Sequence, residues 1–424
     1  MKKQPRWLPP ATAGRIYFWN MAGSVCNAAN TVFMTLIVTR VCGAGAAGIY
    51  SFALAMTQLV GSVARFEVRN FQVTDAKKEY SFSEYHTARL FSVAVATLFM
   101  AIWSLLQGYT GEKLMVIVLC CVFKLLECYE DVYQGLLQLQ NRLDLVGQSF
   151  ALRIVIDTAL FTLLLYVTHQ LVVSLVVYTL FAAIWILVVT VPIANTFETP
   201  KWAFSKRLWT LFLSCLPLFL TNFLMSYIIS APKYAIDIYL SSEMQTYFST
   251  LFMPASVVNL FTIILYQLYL TRMAKDWTDR RWGAFTKRTV FLLGWIGLLG
   301  VVALGGAWLL GIPVLSWIYK LPQLDPFRLE LMIVILGGIF SAAASWMNLV
   351  LTIMRRQILL LFGNTLAAGL MVLLISPLVR QLGLRGAALG YLVVMLLLML
   401  FQFTAVGLVL KKSRRECQAK RDKT

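Results

Sequence analysis

Apolar stretches of about twenty residues follow one another along the chain and are separated by short charged or Pro- and Gly-containing breaks. Because a helix needs about 20 mainly apolar residues to cross the hydrocarbon core of a bilayer, each stretch predicts a membrane-spanning helix. An even number of spans places both termini on the same side. The twelve predicted spans are 16–39, 46–64, 90–107, 114–133, 149–168, 171–194, 211–230, 245–271, 289–312, 331–354, 358–379 and 386–410.

The composition agrees with this pattern and excludes an ordinary soluble protein. Hydrophobic residues make up 59% of the 424 residues and charged residues 13%, against about 45–50% and about 25% in soluble domains. The formal charge of +18 raises the question of a nucleic-acid partner. However, 28 of the 37 basic residues fall on alternate loops and the two termini. By the positive-inside rule this bias predicts that both termini are cytoplasmic. The excess positive charge is then explained by membrane topology, and we expect no nucleic-acid partner.

The loops divide the predicted spans into two similar halves. Large inside loops follow spans two and eight, and tight outside links join spans five to six and eleven to twelve. Such internal repeats are common in transporters, whose substrate path lies between the halves. We predict a six-helix bundle over 1–200, a second over 201–410 and a basic cytoplasmic tail over 411–424.

Catalytic and metal-binding motifs are absent from the sequence. Its seven cysteines form no C-x-x-C pair, and His86 and His169 lie far apart. The sequence contains no Walker loop, nucleophile elbow or Gly-rich dinucleotide motif. We therefore expect no catalytic, cofactor or metal residues and no enzyme activity, and coupling to Na⁺ or H⁺ is left open as the energy source.

The fourth predicted span has a polar stripe. Lys124, Glu127, Asp131, Gln134 and Gln138 follow one another at steps of three and four residues, which places them on one face of a helix. An ionisable side chain at mid-bilayer costs about 2.5–3.5 kcal/mol or more and normally faces a bundle interior or a watery cavity. The stripe is therefore expected to face inward, either lining a cavity or pairing within the helix to pack it.

Further candidates lie on spans one, five and seven. Arg153 and Asp157 are four residues apart, which fits a mutual salt bridge or cavity lining equally well. A cavity containing Lys124 and Arg153, with some of Arg40, Arg65 and Lys233, would favour an anionic substrate such as a phosphate ester. Arg40 and Lys233 fit interfacial anchors as well.

Two polar features have a packing and a functional interpretation. Asn27 lies on a face of span one with Asn20, Ser24 and Asn30, which would bond sugar hydroxyls or hold helices together, and small neighbours such as Gly23 permit close helix approach. Lys233 and Asp237 at the end of span seven form either a gate or a plain salt bridge.

Three motifs together resemble the polysaccharide-biosynthesis flippases of the multidrug/oligosaccharidyl-lipid/polysaccharide (MOP) exporter superfamily. They are the Arg-Asn-Phe-Gln-Val-Thr-Asp run within 65–75, the Lys-x-x-Glu-x-x-x-Asp and Gln-x-x-x-Arg-Leu-Asp spacings within 124–153, and Pro-Lys-Tyr-Ala-Ile-Asp at 232–237. The resemblance implies two six-helix bundles that form a V around a central cavity. In that family, cavity cations are thought to hold pyrophosphate or acidic sugars, which makes Arg40, Lys124, Arg153 and Lys233 the candidates here.

The implied activity is translocation of undecaprenyl-pyrophosphate-linked oligosaccharide across a bacterial cytoplasmic membrane by alternating access. The product would serve capsule, O-antigen or exopolysaccharide synthesis, with membrane lipids, a polysaccharide polymerase and glycosyltransferases as partners. The alternative in the same superfamily is a cation-coupled exporter of drugs or metabolites. A membrane polymerase or ligase is less well supported, because those enzymes use a large external loop and the longest predicted one, 313–330, has under twenty residues.

Overall fold

The computed structural model describes residues 12–75 and 79–421, so the ends of the predicted domains and residues 76–78 lie outside it. The described residues contain helices and no strand, which confirms the predicted all-α class. The helices are α1 Ala13–Arg65, α2 Val68–Thr74, α3 Phe82–Leu106, α4 Gly111–Leu139, α5 Leu143–Thr168, α6 Leu171–Trp185, α7 Val191–Asn195, α8 Arg207–Tyr239, α9 Ser242–Thr278, α10 Trp282–Gly306, α11 Ile312–Tyr319, α12 Arg328–Ile353 and α13 Gln357–Arg421.

Eight helices in the described part of the chain are long and apolar enough to cross a membrane. Two of them change direction at a glycine whose backbone is not helical: Gly43 in α1 has φ 82°, and Gly383 in α13 has φ 57°. Glycine adopts such angles without a Cβ clash. Each of these two helices therefore holds a pair of predicted spans, one on either side of the glycine. The total of twelve spans stays a prediction.

Two other helices continue through a wide turn that precedes a proline. Ile186–Thr190 and Ala307–Gly311 are π-helical, and Pro192 and Pro313 follow them. Proline has no N–H to donate to the preceding turn, and a π turn changes the hydrogen-bonding register there. The second case extends the predicted ninth span, because α11 occupies residues that the sequence pattern assigned to an external link.

Contacts divide the chain into two units, Met1–Ser226 and Tyr227–Thr424, and the division falls inside α8. The predicted domain limits at 1–200, 201–410 and 411–424 stay predictions. In the first unit α1 and α5 cross closely. A Cβ added at Gly147 would overlap the Trp19 carbonyl oxygen, and one added at Gly23 would lie 3.3 Å from the Gly147 oxygen. The role expected for Gly23, close helix approach, is therefore confirmed. The second unit packs around Trp346, whose ring lies 4.8 Å from that of Tyr266.

Candidate functional site

Lys124, in the middle of α4, pairs with an acid on its own helix. Its Nζ lies 2.9 Å from Glu127 Oε2, one turn further along. About a fifth of each side chain is exposed, 21% for Lys124 and 17% for Glu127. The intrahelical pair expected from the spacing is thus present, and part of the Lys124 side chain stays exposed.

Arg153 of α5 is fully buried against the same helix. Its Nη2 lies 3.1 Å from Glu127 Oε1 and 3.3 Å from Glu130 Oε2. The guanidinium also stacks near the rings of Phe123 and Phe150, at 5.6 and 5.4 Å from their centroids, which further stabilises a desolvated cation. Arg153 therefore joins α5 to α4 and has no surface left for a ligand in this conformation.

Asp157, one turn beyond Arg153, is 1% exposed, and neither carboxylate oxygen has a hydrogen-bond partner among the described residues. The salt bridge with Arg153 that the spacing allowed is therefore not formed, because the guanidinium is directed to α4. Lys124, Glu127, Glu130, Arg153 and Asp157 together form what we call the α4–α5 ion cluster. With every member ionised it has two positive and three negative charges.

Hydrogen bonds close to Asp157 join α1 to α5 and to α6. Thr158 Oγ1 donates to Asn30 Oδ1 at 2.6 Å, and Asn30 Nδ2 donates to the Tyr178 hydroxyl at 3.3 Å. For Asn30 the helix-joining interpretation of the span-one amides is therefore the one realised. Asn27, the candidate on the preceding turn, is exposed.

The lower half of the α4 stripe packs against α2 and α3. Asp131 accepts from Arg69 Nη1 at 2.6 Å and from Arg89 Nη2 at 2.9 Å. Arg69 also donates to Gln134 at 3.1 Å and to Gln138 at 3.2 Å. These bonds confirm that Asp131, Gln134 and Gln138 share one helix face, and they show that this part of the stripe anchors neighbouring helices.

Lys124 of α4 and Arg65 of α1 both lie against Gly61 of α1. A Cβ added at Gly61 would lie 3.2 Å from Lys124 Cε and 3.4 Å from Arg65 Nη2, and Arg65 is exposed. The absence of a side chain at Gly61 thus makes room for both cations. Together they form the accessible positive pair at the edge of the ion cluster.

The remaining candidates belong to α1 and α8. Arg40 is exposed on α1 and has contacts of its own. Lys233 and Asp237 are both half-buried on the part of α8 that belongs to the second unit. The Lys233 ammonium lies 5.6 Å from the centroid of the Phe252 ring.

Sequence reasoning missed Glu130, which binds Arg153 and accepts from Thr190 Oγ1 at 2.7 Å. It lies three residues after Glu127, and that spacing was the available signal. The partners of Asp131 are Arg69 of α2 and Arg89 of α3, and no spacing along α4 indicates them. Among the described residues, no group of three or more His, Cys, Asp or Glu side chains is placed to hold a metal ion.

Comparison with solved structures identifies the architecture. An inward-facing multidrug resistance MATE family transporter of the MOP superfamily aligns over 95% of this chain and 99% of its own, with a TM-score of 0.69 and 12% sequence identity. The fold is that of the MOP superfamily transporters. The lipid II flippase MurJ also aligns with this chain, with a TM-score of 0.70 and 11% identity over 93% of this chain and 87% of MurJ. A mutant of the Vibrio cholerae MATE transporter VcmN aligns with a TM-score of 0.61 and 10% sequence identity, over 95% of this chain and 97% of its own.

Sequence comparison adds one relative with a biosynthetic role. The capsular polysaccharide biosynthesis protein CapF of Staphylococcus aureus is 22% identical over 289 residues, which cover 67% of this chain and 71% of CapF. No family model matches the chain. The protein is a multi-pass membrane protein with a MOP transporter fold, and its structural neighbours are transporters and a flippase rather than enzymes.

Proposed function

We propose that this protein flips an undecaprenyl-pyrophosphate-linked oligosaccharide across a bacterial cytoplasmic membrane, with both termini cytoplasmic, for capsule, O-antigen or exopolysaccharide synthesis. The likeness to a capsular polysaccharide biosynthesis protein, on a MOP fold, is the observation that carries this proposal. The polymerase and glycosyltransferases of that synthesis would be its partners. A charged headgroup needs a polar path through the bilayer, whereas its lipid tail can stay in hydrocarbon. Alternating access would provide that path, and moving the headgroup along it requires no covalent step.

Within the first unit, Lys124 and Arg65 are the cations we assign to the pyrophosphate. Both lie against Gly61 and keep exposed surface, and an ammonium and a guanidinium group are both suited to binding phosphate oxygens. Arg153 acts differently, because it is buried between Glu127 and Glu130. It is a positioning residue that holds the Glu127 carboxylate, and through it Lys124, in place. Arg40, Lys233 and Asp237 remain candidates for the later steps of transport.

Asp157 is our candidate for coupling to Na⁺ or H⁺. Burying an ionised carboxylate without a partner is costly, and a bound proton or cation would remove that cost. Asp157→Asn keeps the size of the side chain but removes its charge. Transport by this variant should lose its dependence on the ion gradient, while its folding should be unaffected.

The test of function is complementation of a strain that lacks the gene. Loss of the protein should cause lipid-linked repeat units to accumulate on the cytoplasmic leaflet and should remove surface polysaccharide. Lys124→Ala and Arg65→Ala should restore export poorly at normal protein abundance. Lys201→Ala is the matched control, since Lys201 is exposed and donates to Ser83 Oγ through its backbone N–H, which the substitution keeps. Normal export from both Lys124→Ala and Arg65→Ala would contradict the assignment of these two cations to the pyrophosphate.

The second candidate is a cation-coupled exporter of drugs or metabolites, which the MATE neighbours favour. It predicts that deletion raises sensitivity to cationic dyes and leaves surface polysaccharide unchanged. Flipping predicts the opposite pair of results, so the same deletion strain decides between the two.

A further inference from the structure

A groove lies in the second unit where the two ends of α13 come together. Residues 355–359, which lead into the helix, form one wall, and residues 401–412 near its end form the other. The groove has a volume of ≈ 630 Å³, which is in the range of about 300–1,000 Å³ typical of small-molecule sites. We call it the C-terminal groove, and the ion cluster of the first unit contributes no residue to it.

The turn between α12 and α13 and the bend at Gly383 build this groove. Arg355 has a left-handed backbone, with φ 57°, which ends α12 and allows α13 to begin at Gln357. The bend then returns the chain, so that Phe401 packs on the early part of α13. A Cβ added at Gly363 would lie 2.6 Å from the Phe401 ring, and the rings of Phe362 and Phe401 are 5.9 Å apart.

The polar end of the groove is cationic. Arg355, Arg356 and Lys412 line it, all three are exposed, and no Asp or Glu is among the lining residues. None of the three has an ion-pair partner among the described residues. The predicted topology places this end at the cytoplasmic surface of the bilayer, where anionic phospholipids concentrate.

The rest of the groove is mainly apolar, and Gln357 and Thr404 are the uncharged polar residues of its lining. Ala405 and Val409 form its buried floor, while Leu408 and Ile358 are 69% and 84% exposed at its edge. An apolar groove with a group of cations at its membrane-surface end matches the shape and chemistry of a phospholipid. The phosphate would bind at the cationic end, and an acyl chain would lie along the apolar floor. A free phosphate would use the cations and leave the apolar floor unused.

We propose that the C-terminal groove binds an anionic phospholipid of the bilayer, with its phosphate between Arg355, Arg356 and Lys412 and an acyl chain along Ala405 and Leu408. The groove shares no lining residue with the proposed transport cations, and the proposal does not depend on which substrate is carried. It would fix the C-terminal helix to the leaflet that it meets.

The test is native mass spectrometry of the full-length purified protein with phosphatidylglycerol, and with phosphatidylcholine as the zwitterionic comparison. Wild type should retain phosphatidylglycerol preferentially. Because each cation near anionic lipid contributes a factor of about five, the triple variant Arg355→Gln, Arg356→Gln, Lys412→Gln should bind it on the order of a hundredfold more weakly. The control triple Arg272→Gln, Lys275→Gln, Arg280→Gln removes three exposed cations predicted to lie on the same side of the membrane and should bind as wild type does.

A second pair of variants tests the apolar part without changing charge. Thr404→Trp fills the groove and should reduce bound phosphatidylglycerol at least tenfold, whereas Phe403→Trp, at a neighbouring exposed position outside the lining, should not. Equal losses in the two triples would overturn the proposal in favour of general surface charge. Retention of phosphatidylcholine equal to that of phosphatidylglycerol would also overturn the proposal. So would a combined result in which Thr404→Trp binds phosphatidylglycerol normally and inorganic pyrophosphate displaces the lipid, since the cations alone would then hold the phosphate.

Discussion

Arg153→Ala removes a buried guanidinium that neutralises two carboxylates of α4. The Arg153 side chain is 0% exposed, and its partners Glu127 and Glu130 are 17% and 1% exposed. Removing one member of a buried ion pair costs about 3–5 kcal/mol, because the remaining charge is left uncompensated. We therefore expect Arg153→Ala to lower the free energy of unfolding of the first unit by about that amount.

Lys124→Ala is the matched comparison on the same cluster. Lys124 is 21% exposed, so its pair with Glu127 contributes about 0–1 kcal/mol. Glu127 also keeps Arg153 as a partner after the change. Lys124→Ala should therefore impair export while leaving stability nearly unchanged.

Thermal unfolding of the purified variants in detergent, followed by size-exclusion chromatography after heating, measures the difference. A loss of 1 kcal/mol shifts the Tm of a unit of 150–250 residues by about 2–4 °C, so Arg153→Ala should unfold about 6–20 °C below wild type. Lys124→Ala should unfold within about 4 °C of wild type. Adding Glu130→Gln to Arg153→Ala removes one uncompensated charge and should restore part of the lost Tm.

Two results would refute the reasoning. If Arg153→Ala unfolds at the wild-type temperature, the guanidinium is not held between the carboxylates in the folded protein. If Lys124→Ala loses as much Tm as Arg153→Ala, the two cations do not differ in burial as described.

Three further changes follow from the packing of the first unit. Gly147→Ala should lower the Tm, since the added methyl group meets the α1 backbone at Trp19. The control Gly297→Ala has open space around it and should leave the Tm unchanged or raise it slightly. Equal changes in Tm for the two variants would contradict the close α1–α5 crossing. Asp131→Asn should loosen α2, because Arg69 and Arg89 lose a charged acceptor. A cysteine introduced at the buried position 68 should then react faster with a maleimide than the same cysteine in a protein that keeps Asp131. An unchanged labelling rate would contradict this anchoring role. Asp157→Asn should abolish the response of transport to the ion gradient, measured in proteoliposomes with and without that gradient, and a gradient response equal to wild type would exclude Asp157 as the coupling group.

Hydrophobic patterning predicted the fold class because the bilayer requires long apolar helices. It predicted less well where charge interrupts the pattern. The predicted fourth span, 114–133, is part of a longer helix, and its polar end continues to Leu139 beneath α2. The short helix α2 itself was not foreseen, since seven residues with mixed polarity give no clear periodicity.

The helical period placed the α4 stripe correctly for Asp131, Gln134 and Gln138, because the period depends only on local geometry. The partners of the stripe are set by long-range packing. Arg153 had an acid four residues away, yet in the folded unit its guanidinium reaches Glu127 and Glu130 on another helix. No spacing along one helix distinguishes those outcomes, and this is why the cavity cations expected from the sequence include one that is fully buried.

Translocation in a purified system tests the proposed function most directly. The protein is reconstituted into vesicles containing an undecaprenyl-pyrophosphate-linked oligosaccharide with a fluorescent sugar, and a membrane-impermeant quencher reports how much label reaches the outer leaflet. We predict protein-dependent translocation that is strongly reduced in Lys124→Ala and unchanged in Lys201→Ala. Label that stays in its original leaflet, in vesicles where the same protein transports a cationic dye, would contradict the account.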